Sequence, residues 1–178
     1  VIRFLRFVGV ANAAVWFGAA VFLTLAAAPV FFSEEMKRVI PAPYNGFVAQ
    51  LVLRRYFEFQ LWCGLIAVIH LVAEWLYMGK KLKSPTLYLV LGLVFVGLLG
   101  RYWLVPRMQE LHATAYNARV PAAQAHAARS SFKIWHGFSQ GMNLIALAGL
   151  GVHLWRVALP AGSGGASGRF NSGSKFRG

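Results

Sequence analysis

His136, Ser139, Gln140 and Asn143 fall at i, i+3, i+4 and i+7 within the apolar run from Ile134 to Leu159. In an α-helix that spacing puts an imidazole, a hydroxyl and two amides on one face. At 1.5 Å per residue the run, about 26 residues long, is sufficient to cross a hydrocarbon core of about 30 Å. Polar groups on such a helix face neighbouring helices, a water-filled cavity or a ligand rather than lipid. The stripe therefore reads either as part of a conduction or substrate site or as polar seam residues that bond adjacent helices, at about 0.6 kcal/mol each. Holding helices together is the expected first role.

A second set is ionisable. Glu58, His70 and Glu74 lie in the apolar segment 57–78, and Arg101 in the segment 86–105. Charged or titratable groups inside a membrane are candidates for function by default. His70 and Glu74 are four residues apart and share a helix face, which fits a proton-handling pair, a metal site, or an imidazole held by a carboxylate. One histidine and one glutamate are too few ligands for a metal, so the held imidazole is the preferred reading. Glu58 is placed to bridge to one arginine among Arg54, Arg55 and Arg101. A haem b held by His70 and His153 is an alternative, because the second and fourth segments run in the same direction and bring the two within roughly two helical turns in depth. Against it, His153 is turned about 100° from the stripe of its own helix. No cofactor is the default expectation. Cys63, the only cysteine, allows no intrachain disulfide and reads as a small packing residue. No phosphate-binding glycine loop, G-x-S-x-G, H-E-x-x-H or paired carboxylates occur, so no catalytic activity is expected.

The elements that must position these groups are four apolar segments, at about residues 7–32, 57–78, 86–105 and 134–159, each near the roughly 20 residues that a span requires. The fold class is all-α: a polytopic membrane protein with four transmembrane helices in a bundle and short interfacial helices, over residues 1–159. Eighteen basic residues stand against five acidic ones. The bases lie at span ends and in connections, where they meet lipid headgroups, and no nucleic-acid motif accompanies them. Tryptophans near span ends read as interfacial anchors.

Four spans place both ends of the domain on one side. Basic residues number nine on each side, but Lys80, Lys81 and Lys83 in the short connection Gly79–Pro85 favour cytoplasmic termini in a bacterial inner membrane. The first segment is longer than the 7–15 apolar residues of a cleaved leader and is expected to be retained as an anchor. Pro43 to Gly46 reads as a turn, Phe47 to Arg55 as an interfacial helix, and Met108 to Ala118 and Ala122 to Arg129 as helical extensions of the third and fourth spans. His112 and His126 are expected in solvent. Gly137 and Gly141 form a G-x-x-x-G pair suited to close helix approach. Residues 160–178, rich in Gly, Ser and bases, form a tail expected to be disordered on its own.

The string Phe132 to Leu144, with His136, Gly137, Ser139, Asn143 and Leu144 in an H-G-x-S-x-x-x-N-L pattern, resembles a membrane family containing transmembrane-protein-205-like proteins and a bacterial domain of unknown function. Ala28 to Phe32, Tyr44 to Tyr56 and Pro106 match in the same order. The resemblance implies a four-helix membrane bundle without established enzymatic activity. The function expected is a non-catalytic accessory subunit in the lipid bilayer that docks onto a larger membrane complex through its helices and basic tail. The alternatives are a haem- or metal-binding redox protein using His70 and His153, and a small transporter or tolerance factor built on the fourth-helix seam.

Overall fold

Proline shapes two of the four long helices. The computed structural model describes residues 2–41, 43–79 and 84–159. In it α1 runs Ile2–Phe32, α2 Glu34–Val39, α3 Tyr44–Met78, α4 Ser84–Tyr116 and α5 Ala122–Ala158. α1 contains a π-turn at Leu23–Ala27 and α4 one at Gly100–Leu104, each ending two residues before a proline, Pro29 or Pro106. A proline has no N–H to donate, and its ring crowds the carbonyl four residues back. Those carbonyls belong to Leu25 and Tyr102, both inside the wide turns. The Ala28 N–H reaches back to the Leu23 carbonyl and the Val105 N–H to that of Gly100, and this five-residue spacing makes room for each ring.

α1 packs on α3 and α5, and α4 packs on the same two helices, so the four form a closed ring. The Arg6 Nη2 donates to the Ala158 carbonyl at 3.4 Å, which brings both ends of the helical domain to one face. We call this the terminal face. Trp16, Val90, Leu104, Val105 and Leu150 fill the centre. The outer surface is apolar too, with Leu25 72% and Ile145 71% exposed. A water-soluble monomer rarely shows a continuous apolar girdle of that kind, whereas lipid covers it without cost. Four helices of 31 to 37 residues are long and apolar enough to cross a membrane, and the chain is a multi-pass α-helical membrane protein. At 1.5 Å per residue each helix exceeds a 30 Å core by roughly 15 Å or more, and α4 and α5 carry the expected extensions.

Three local expectations change. α3 begins at Tyr44 and runs without a break, so the expected turn shrinks to Pro43 and the stretch Phe47 to Arg55 is the first part of the span helix. The short interfacial helix is α2 instead. Ser33 caps it, its Oγ accepting from the Met36 N–H at 3.1 Å, with Glu34 and Glu35 in the first turn and Lys37 and Arg38 in the last, charges that suit the helix dipole at each end. Trp16 is 1% exposed, a core residue rather than an interfacial anchor. At the far end of α3, Gly79 takes a left-handed φ of 58° that a side chain would disfavour. Lys80, Lys81, Lys83 and the basic tail lie outside the described residues.

Candidate functional site

Near the terminal face the helices meet closely. His70 of α3 lies against Gly9 of α1, whose missing side chain leaves space for the ring; a Cβ there would fall 2.5 Å from the His70 Cε1 and Nε2. Because the ring reaches this far, its Nε2 hydrogen-bonds the Leu5 carbonyl at 2.9 Å. The imidazole is thus held by backbone and not by Glu74, which shares its face in sequence but makes no hydrogen bond or ion pair with it among the described residues. His153 of α5 is buried and packs edge-on to Trp16, ring centroids 6.2 Å apart. Its Nδ1 and the indole Nε1 of Trp16 are both buried without partners among the described residues. For His70 to bind an iron through Nε2 it would have to give up the Leu5 carbonyl. Among the described residues no three His, Cys, Asp or Glu side chains group as metal ligands.

Toward the opposite face a chain of hydrogen bonds crosses the bundle. The Gln60 Nε2 donates to the Tyr56 hydroxyl at 2.6 Å. Tyr56 donates to the Asn143 Oδ1 at 3.4 Å, and the Asn143 Nδ2 donates to the Thr24 Oγ1 at 2.7 Å. Thr24, in the π-turn of α1, donates to the Ala20 carbonyl at 2.7 Å. Three helices are tied by this one chain. Gln60 and Tyr56 are nearly enclosed, so each bond satisfies a polar group that lipid could not.

Above Asn143 the helices part around a cleft of about 430 Å³. All four stripe residues line it: His136, Ser139, Gln140 and Asn143. α1 contributes Leu23, Thr24 and Phe31, α3 contributes Gln50 and Leu53, and α4 contributes Met108. The lining residues with the most free surface are Pro29 and Phe32 on α1 and Gln140 and Leu144 on α5. His136 is set among aromatic rings, 5.2 Å from Phe32 and stacked with Phe132 at 6.2 Å and 7°. Spacing alone identified the stripe. It did not identify Gln50, Thr24, Tyr56 or Gln60 as its partners, because that depends on how α1 and α3 are rotated, and helices apolar on every side carry no periodic signal of rotation.

Elsewhere on α3, Glu58 bonds not one arginine but three. Its Oε1 accepts from the Nε of Arg54 at 3.3 Å and of Arg101 at 3.1 Å, and its Oε2 from the Nη1 of Arg55 at 2.8 Å. The Arg101 contact joins α3 to the π-turn of α4, where Gly100 lies under the Phe57 ring with no space for a Cβ. His112, expected in solvent, is partly buried: it packs over Gly46 and 4.8 Å from the Tyr116 ring. His126 is exposed as expected. Gly137 and Gly141 face outward, with open space where a Cβ would stand.

Fold and site together define a multi-pass helical membrane protein with a polar cleft that, among the described residues, has no Lys, Arg, Asp or Glu in its lining. The chain belongs to the family described as a domain of unknown function, DUF4149, which it matches over residues 12–117. The match takes in most of α1, α2, α3 and α4 and ends before α5, so the stripe and the His136-to-Leu144 string lie beyond it. No curated protein and no solved structure matches the chain.

Proposed function

We propose that this is a non-catalytic membrane protein that takes a lipid-soluble molecule from the bilayer into the cleft. A transporter or tolerance factor built on the seam is the physiological form this reading gives. The observation that carries it is the convergence of His136, Ser139, Gln140 and Asn143 on one cavity, which packing of four helices does not by itself require. Mostly apolar walls with a few placed polar groups are what small-molecule sites present, and in this reading ligand enters from lipid between α1 and α5, past the exposed Pro29, Phe32, Gln140 and Leu144. In the native membrane the protein is expected to hold a small molecule through purification in mild detergent. Ser139→Trp, which fills the cleft, should release it. Native mass spectra with no such mass for the wild type, under conditions that retain annular lipid, would sink the reading.

The accessory-subunit reading stands beside it on a separate observation. Gly137 and Gly141 present a bare strip of α5 to the outside, and small residues let a second transmembrane helix approach closely. The occupant would be a helix of a larger membrane complex. Migration of the protein as a lone monomer from mild detergent argues against it. The likeness to transmembrane-protein-205-like proteins, the bacterial inner membrane and cytoplasmic termini belong to this proposed picture, the first supported by the string His136 to Leu144 and the last by the lysines between the second and third spans.

A further inference from the structure

Gln50 gives the cleft a chemical preference. It lines the cavity, is 4% exposed, and its Nε2 is buried with no hydrogen-bond partner among the described residues. An amide donor left bare in a low-dielectric interior is costly, and the cost disappears when an acceptor arrives. The Nε2 itself has no free surface, so an acceptor in the cleft meets it through a turn of the terminal amide of this lining side chain. The remaining polar lining consists of imidazole, hydroxyl and amide groups, with no Lys, Arg, Asp or Glu among the described residues that form it. A phosphate, carboxylate or ammonium entering the cleft would lose its hydration and find no opposite charge. Arg54, Arg55 and Arg101, which share the Glu58 carboxylate, are not among the residues that line the cleft. A plain hydrocarbon would suit the Phe31, Leu53 and Met108 walls but leave Gln50 unanswered.

We infer that the cleft selects an uncharged amphiphile carrying carbonyl oxygens on an apolar body, and that Gln50 Nε2 is the donor that recognises a carbonyl. The inference rests on the proposed reading of the cleft as a ligand site. Membranes supply this chemistry from two sources, quinones and acylglycerols. The rings of Phe32, His136 and Phe132 would receive a flat headgroup, while the amides and hydroxyls of Ser139 and Gln140 would serve a glyceryl ester.

The test uses the full chain, stripped of native lipid and placed in phosphatidylcholine nanodiscs. Four probes are titrated: decylubiquinone, monodecanoylglycerol, decyl phosphate and decane. One of the two carbonyl compounds should bind saturably at a single site, and which one identifies the source. Decyl phosphate and decane should bind at least about tenfold more weakly, and Gln50→Leu should weaken the carbonyl compound about tenfold, the loss of one hydrogen bond to a buried amide. The ligand-free Gln50→Leu protein should melt no lower than wild type, since the bare donor is gone. Should that variant fail to fold, Gln50→Met, of similar length and without the donor, replaces it with the same expectation. Equal binding of decyl phosphate or decane, or unchanged affinity in a folded Gln50 variant, overturns the ligand class and leaves the cleft a binding site. Binding of none of the four by wild type, with Ser139→Trp indistinguishable from it, overturns the proposed function as well.

Discussion

The terminal half of the bundle and the opposite half use the same four helices to different ends. In the terminal half, Gly9, Ala13, Trp16 and Ala20 form one buried edge of α1, three small residues and one large ring, and the helix backbones come near enough for an imidazole to reach a main-chain carbonyl. In the other half α1 continues through a π-turn, then Pro29, Phe31 and Phe32, and the helices part around a cleft bridged by side-chain hydrogen bonds. Lipid offers no hydrophobic drive for helices to associate, so close packing has to come from shape. Where small residues supply the shape, the bundle is dense. Where bulky residues and proline replace them, polar bonds and space take over.

Substitutions in the two halves should separate them. The largest effect is expected for Trp16→Ala, which empties the centre of the dense half and should cost about 3–5 kcal/mol, measured as unfolding free energy in mixed micelles; Leu53→Ala in the cleft wall, where space already exists, should cost well under half as much. Equal losses would erase the distinction between the halves. Next comes Gly9→Ala. Its methyl group meets the His70 ring, and a cost of about 1–3 kcal/mol follows from overpacking, accompanied by loss of the His70 to Leu5 hydrogen bond, visible as a shift in the histidine side-chain nitrogen resonances. Asn143→Leu cuts the chain between Tyr56 and Thr24 and should cost about 1 kcal/mol, within the range of interhelical hydrogen bonds in membranes. A loss several times larger would mean that the cleft half is as tightly built as the other. Smallest of all is Gly137→Ala, where a methyl group enters open space: the change in stability should stay within about 0.5 kcal/mol, and a larger one in a monomer would show that the outer strip of α5 is covered.

Much of this was legible in the residues. Length and apolarity were enough for four membrane helices, and the i, i+3, i+4, i+7 spacing was enough to put His136, Ser139, Gln140 and Asn143 into one place. The π-turns before Pro29 and Pro106 and the α2 start at Ser33 were not expected, although a proline inside a long helix and a serine followed by two glutamates are the local signals that go with them. Other features depend on approach distances between helices. His70 and Glu74 share a face, yet the ring goes to Leu5 because Gly9 leaves it room, and a glycine facing a histidine across two helices cannot be paired from spacing alone. Trp16 resembled an anchor because tryptophans favour interfaces, but its depth and its small neighbours Ala13 and Ala20 make it the plug of the dense half. Gln50 sat in a stretch of mixed polarity that reads as interfacial, and only the unbroken course of α3 turns it into the cleft.

The two π-turns have a consequence for how such chains change over time. Each holds one residue more than an α-helical turn does, so everything beyond it is rotated by about 100° relative to an uninterrupted helix. Losing that residue in α1 would swing Phe31 and Phe32 to a new bearing while leaving the edge of Gly9, Ala13, Trp16 and Ala20 where it is. Single-residue insertions and deletions within helices, ordinarily ruinous, become a way to re-aim the walls of the cleft. In comparing members of this family, a gap in the alignment just before either proline would then mark a change of bearing in the cavity rather than a shortened loop.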